Sequence, residues 1–153
     1  MASLEKYQPR CRIFLLDGKI FRTNLFVLFF DLPLKRETVT KTALLAEVLK
    51  RRNWTETAKR AEELYGALWD VSVVKKGDRQ LLLFSLETLK TVDTEDAISF
   101  LAERIFQPMK QGEFSEKEVN RQKGILKKKI ESLKDDKKAY ARKRVSEETA
   151  EGT

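Results

Sequence analysis

Residues 67–86 read ALWDVSVVKKGDRQLLLFSL, and this stretch decides the fold. Its first half has the two-residue period of a β-strand, with one set of alternating positions at Ala67, Trp69, Val71 and Val73. Gly77 and Asp78 supply a turn, and the apolar run at 81–86 returns as a second strand. The pattern therefore predicts an antiparallel β-hairpin.

Upstream of this hairpin, the sequence predicts two further strands. The segments 10–16 and 25–32 are rich in Ile, Leu, Val and Phe, and a turn is expected at the intervening residues 17–18. The run 25–30 is apolar at every position, so we expect both of its faces to be covered. Pro33 is expected to end this strand because proline cannot donate to a β-ladder.

Between the two pairs of strands, apolar residues recur three or four positions apart, which is typical of amphipathic helices. The first helix is predicted from Thr38 to about Arg52, with Thr38 as its N-cap. The second is predicted from Thr55 to Tyr65, with Thr55 as its N-cap and Gly66 as a left-handed stop.

Two more helices are predicted after the hairpin. The third opens at Asp93, and Pro108 is expected to end it. The last begins with a capping box, S-x-x-E, that starts at Ser115, and it is expected to run to about Val145. Residues 147–153 carry no packing pattern and are expected to form a frayed tail. The predicted order is ββαα-ββ-αα, which indicates an α+β fold with an antiparallel sheet and helices on one face.

The composition limits the classes of function. The chain has 153 residues, enough for one domain spanning 1–153, and it contains 1 Cys and 0 His. A single cysteine, Cys11, excludes an internal disulfide and fits a reducing cytoplasmic compartment. The net charge of +7 invites a nucleic-acid or ribosome-associated role, but the bases are dispersed among 24 acids and no nucleic-acid motif accompanies them. The most apolar run, at 25–30, is too short to span a bilayer.

Residues 21–129 resemble the N-terminal domain of insulinase- and pitrilysin-type zinc peptidases. The resemblance is carried most specifically by ELYGA at 63–67 and KKGDRQ at 75–80, with support from Asn24, TKTALL at 40–45 and LKRR at 49–52. Within that family, the chain looks most like bacterial peptidase-like proteins without the zinc motif that are associated with elongation-factor P aminopentanol modification. The resemblance implies a LuxS/MPP-like metallohydrolase domain, and the domain is expected to be incomplete because family domains are longer.

Members of this family hold zinc with an H-x-x-E-H motif on a helix. Two histidines four residues apart lie on one helical face and bind the metal, while the glutamate acts as general base on the zinc-bound water. By resemblance, the motif falls on Leu44, Glu47 and Val48, and the distal ligand falls near Lys128. Aliphatic and cationic side chains cannot bind zinc, so we expect no metal, no cofactor and no peptidase activity.

Several of these residues have an ordinary structural interpretation beside the functional one. Glu47 is either a relic of catalysis or a helix-surface acid that pairs with Arg51 at i+4. Trp54 and Trp69 either line a peptide groove or, as the more frequent case, pack in the core. The lysines at 127–129 are expected to form solvated helix surface, with contact to an acidic partner as the alternative.

These observations favour a non-catalytic homologue of a zinc metallopeptidase. By resemblance, such a chain pairs with a catalytic sister subunit in peptide or protein processing and helps to hold a peptide. Self-association is also expected, because a four-stranded sheet with an uncovered edge and apolar face tends to be paired. The alternative function is a basic nucleic-acid- or ribosome-associated binding module.

Overall fold

The computed structural model describes residues 3–8, 11–16, 18–111 and 114–135, with 141 and 145 as isolated positions. The predicted tail at 147–153 and the predicted end of the last helix lie outside the described residues. The elements, in chain order, are β1 (Ser3–Gln8), β2 (Cys11–Leu16), β3 (Thr23–Pro33), α1 (Arg36–Arg51), α2 (Trp54–Glu63), β4 (Leu68–Lys76), β5 (Arg79–Leu89), α3 (Thr94–Gln111) and α4 (Glu116–Asp135). The α+β class is confirmed, and β1 is one strand more than predicted.

The main sheet has three antiparallel strands in the order β3-β5-β4. The predicted hairpin is its β4–β5 pair, with Lys76 opposite Arg79 at the turn. The register places Val27 of β3 and Asp70 of β4 on either side of Ser85 in β5. Because β5 has two hydrogen-bonded neighbours, it is the central strand, while β3 and β4 are the edges.

The prediction of a four-stranded sheet is wrong, because β2 does not join the main sheet. It pairs instead with β1 in a separate two-stranded sheet, in which Gln8 lies opposite Cys11. The pairing with β1 satisfies the backbone groups along one edge of β2, but it covers little apolar surface. The side chains from Ile13 to Leu16 are 52 to 72% exposed.

One face of the main sheet is covered by the helices. Alternate side chains of β5 point to this face, and Leu82, Phe84 and Leu86 are buried there. They pack in two clusters with residues from the helix layer. These residues are Ala46 of α1, Leu64 just after α2, and Ala97, Phe100 and Ile105 of α3. The expectation of helices on one face of the sheet is therefore confirmed.

The opposite face of the main sheet is not covered by any described element, so the expectation that both faces of 25–30 are covered is wrong. Leu25, Val27 and Phe29 are 65, 46 and 48% exposed. The helices lie on one side only, and the two-residue period of a strand sends these side chains to the other side. We call this surface the open face. Its apolar members are Leu25, Val27 and Phe29 of β3, Leu81 and Leu83 of β5, and Leu68 and Val74 of β4, and its polar members are Asp31, Asp70, Ser72, Ser85 and Glu87.

Two helices begin earlier than predicted. The first, α1, starts at Arg36, and the Thr38 hydroxyl donates to the Lys35 carbonyl at 3.4 Å instead of capping backbone N–H groups. The second, α2, starts at Trp54, so Thr55 already lies inside it. The N-cap of α1 is the extended Lys35 and that of α2 is the left-handed Asn53, and neither makes a side-chain cap hydrogen bond. The two threonines resemble caps in sequence but lie within the first turn of their helices.

The prediction that Pro108 ends the third helix is also wrong, because α3 continues through it to Gln111. Proline inside a helix lacks one N–H and costs about 3 kcal/mol. Pro108 is buried, three residues after the buried Ile105 on the same stripe, and this burial offsets part of the cost. None of the helices in the described part of the chain is long and apolar enough to cross a membrane.

A Phe→Ala substitution should lower the free energy of unfolding much more on the covered face of the sheet than on the open face. Phe84→Ala should lower the free energy of unfolding by about 3–5 kcal/mol, because it opens a cavity in the covered face. Phe29→Ala, on the open face, should cost less than about 1.5 kcal/mol, because its ring is already half in water. Urea denaturation followed by circular dichroism measures both values. Equal costs would contradict the one-sided core.

Candidate functional site

The positions that match the family's zinc motif lie in the second half of α1. Val48 is buried and only 3% exposed. Leu44, one turn before it on the same face of the helix, is half-buried. The Glu47 side chain is 24% exposed and lies at the edge of the helix layer. The three positions therefore differ in burial, and only Val48 is fully enclosed.

The charge of Glu47 is neutralised from α4, which lies against α1. Lys129 donates from Nζ to Glu47 Oε1 at 2.5 Å. The predicted pairing of Glu47 with Arg51 is wrong; the Arg51 guanidinium lies 5.9 Å from the centre of the Trp54 ring instead. Glu47, at the expected general-base position, thus contacts Lys129 of α4. Lys129 is the residue after Lys128, near which the distal ligand was expected, and Lys128 itself is exposed.

The side chains of Leu44, Glu47 and Val48 offer one metal-ligating group among them. A zinc site needs three nitrogen, sulfur or oxygen ligands from the protein, and Leu44 and Val48 offer none. No group of three or more His, Cys, Asp or Glu side chains that could hold a metal occurs among the residues that the structure describes. The Glu47 carboxylate accepts a hydrogen bond from the Lys129 ammonium group, and this contact links α1 to α4.

A groove runs along the seam between α1 and α4 and is bordered by Leu44. We call it the α1–α4 groove; its volume is about 410 Å³ and its lining consists of Thr40, Lys41, Leu44, Lys123, Leu126, Lys127, Ile130 and Glu131. This groove was not predicted from the sequence. The i, i+4 spacing of Leu126 with Ile130, and of Lys123 with Lys127, was the pattern that pointed to it.

The three consecutive lysines at 127–129 have three different environments. Lys127 lines the groove, Lys128 is exposed, and Lys129 pairs with Glu47. Successive residues of an α-helix point about 100° apart, so such a run cannot present one continuous basic stripe. The prediction of solvated surface fits Lys128, whereas its two neighbours have contacts of their own.

The two tryptophans also differ from each other. Trp69 packs as predicted, with its ring centre 6.1 Å from that of Phe84 and 5.9 Å from that of Phe100. Trp54 is 55% exposed, so the prediction that it packs in the core is wrong. Its partner is the Arg51 side chain, and it does not line the α1–α4 groove.

Comparison with known proteins supports the metalloprotease-like interpretation. No protein-family model matches the chain. The chain is 34% identical over 141 residues to a protein of Bacillus subtilis named as the probable inactive metalloprotease YmfF, covering 84% of this chain and 33% of that protein. It is also similar to a conserved protein of Enterococcus faecalis V583 whose crystal structure is known, with a TM-score of 0.76 and 28% identity over 84% of this chain and 33% of that one.

The chain thus spans about a third of the length of each of these relatives. The name of the Bacillus subtilis protein agrees with a non-catalytic metalloprotease homologue. The match to the solved structure agrees with the α+β architecture.

Restoring the histidines should destabilise the chain without creating a metal site. The double variant Leu44→His/Val48→His places polar rings where Leu44 is half-buried and Val48 is buried, and a buried unpaired polar group costs about 1–3 kcal/mol. Most of the loss should come from Val48→His alone, whereas Ile98→His, at an exposed position of α3, serves as a nearly neutral control. Thermal melting measures the series. An unchanged Tm for Val48→His would show that this position is not in the core.

Proposed function

We propose that this chain is a non-catalytic homologue of a zinc metallopeptidase, of the insulinase and pitrilysin type, that acts by binding. The contact between Lys129 and Glu47 carries the proposal, because it occupies the carboxylate that the family's chemistry requires. Aliphatic residues at both motif histidine positions, in a chain with 0 His, support the same conclusion.

The proposal includes pairing with a catalytic sister subunit in peptide or protein processing. The open face supports it, since contiguous exposed apolar surface marks interaction sites in soluble proteins. The exposed side chains of Leu25, Val27 and Phe29 lie in one row along β3 on this face, and Phe29 lies opposite the half-buried Leu83 of the central strand. A cytoplasmic location and a LuxS/MPP-like domain belong to the same proposal and rest on the resemblance.

A mixing experiment tests the pairing. Combined with an H-x-x-E-H homologue from the same organism, the chain should elute from a sizing column as a complex, with its mass measured by light scattering. The double variant Val27→Lys/Phe29→Lys should abolish the complex, because two ammonium groups would have to be buried in an apolar interface.

The control is Ile98→Lys/Phe106→Lys, which places the same two charges at apolar residues of α3 that are equally exposed and lie away from the open face. It should leave the complex intact. If the unmodified chain elutes in the mixture with the same mass as it has alone, the pairing is refuted. A complex that survives the Val27→Lys/Phe29→Lys change would refute the role of the open face.

A further inference from the structure

We infer that the α1–α4 groove binds an acidic amphipathic segment of a client or partner protein. The inference rests on the proposed non-catalytic function, because it assigns a class of ligand to the surface beside the degenerate motif. Three features of the groove support the inference. Its floor is aliphatic, its rim carries lysines, and no described element covers it.

The floor of the groove is aliphatic. It is formed by Leu44 of α1 together with Leu126 and Ile130 of α4. Ile130 is 41% exposed, and the other two are half-buried. A volume of about 410 Å³ lies within the range of about 300–1,000 Å³ that is usual for ligand sites. The floor can therefore take apolar side chains out of water.

The rim of the groove is cationic. Lys41, Lys123 and Lys127 border it and are exposed, against one acid, Glu131. Among the described residues, none of the ion pairs involves any of these three lysines. Lys123 and Lys127 are four residues apart on one helix, and like charges at this spacing repel each other. Carboxylates arriving from outside would relieve the repulsion and complete ion pairs.

The shape of the groove selects the class of occupant. Because its rim is exposed along α4, a bound molecule keeps one side in water. An amphipathic peptide segment meets this condition, with apolar side chains on the floor and carboxylates facing the lysines. An acyl chain would lose about 0.8 kcal/mol for each methylene group left in water. A nucleic acid would find no aromatic side chain in the lining on which to stack a base.

Fluorescence anisotropy with a labelled model peptide tests the inference. The peptide carries leucines and glutamates at helical i, i+4 spacing, and a second peptide replaces each glutamate by lysine. We expect saturable binding of the acidic peptide only. Lys127→Glu should weaken this binding about fivefold or more, because it reverses one charge of the rim.

Lys128→Glu is the matched control, since it makes the same change of charge one residue along the same helix, outside the groove. It should change the affinity by less than about twofold, as general electrostatics alone would do. Both variants alter surface residues, and circular dichroism should show unchanged folding. Equal weakening in the two variants overturns the inference, as does equal binding of the basic peptide.

Two competitors test whether the groove binds an acyl chain or a nucleic acid instead of a peptide. Dodecanoate below its micellar concentration and a single-stranded oligonucleotide should both fail to displace the acidic peptide; if either binds while the peptide does not, the inference is wrong. The Val27→Lys/Phe29→Lys variant should retain peptide binding, because the open face is remote from the groove. If the unmodified chain pairs with the H-x-x-E-H homologue but does not bind the acidic peptide, this inference is refuted and the proposed function stands.

Discussion

The central strand β5 is buried on one face only, and the remainder of the structure depends on this constraint. Its alternate side chains Leu82, Phe84 and Leu86 pack beneath the helices, whereas Leu81 and Leu83 point away from them. The packing fixes which side of α1 faces the sheet. It also leaves a sheet surface that the described elements do not cover. The position of α1 and the exposure of the open face thus both follow from the packing of the helices on one side of the sheet.

The packing of α1 on the sheet also determines where Leu44, Glu47 and Val48 lie. When Thr42 and Ala46 face the sheet, Leu44 and Val48, which are four residues apart, lie together on a different face of α1, and Leu44 and Glu47 lie at the boundary with α4. This boundary holds an ion pair between Glu47 and Lys129, next to the α1–α4 groove.

The sequence predicted the elements better than their arrangement. The hairpin and the number of helices followed from local periodicity, and the start of α3 agrees with it too, since Asp93 accepts a hydrogen bond from the backbone N–H of Glu95 at 2.7 Å. Strand pairing could not be read in the same way, because the apolar pattern of β2 suits either the main sheet or β1. Pro108 failed as a stop because burial in the tertiary structure outweighed its local preference.

The same limit applies to the site. The residue types show that Leu44 and Val48 carry no metal-ligating atom, but the sequence did not predict the partner of Glu47. Arg51 is the local choice at i+4, yet the side chain that reaches Glu47 comes from Lys129, 82 residues away along the chain. Contacts of this kind depend on how helices pack, which periodicity alone does not specify.

The measurement that tests the central claim most directly is the zinc content of the purified chain. The protein would be incubated with excess Zn²⁺, dialysed against a weak chelator and analysed by atomic emission. If Glu47 is held by Lys129 and no imidazole is present, the result is far less than one zinc per chain. One chelator-resistant zinc per chain would contradict the account, and would mean that other side chains assemble a metal site.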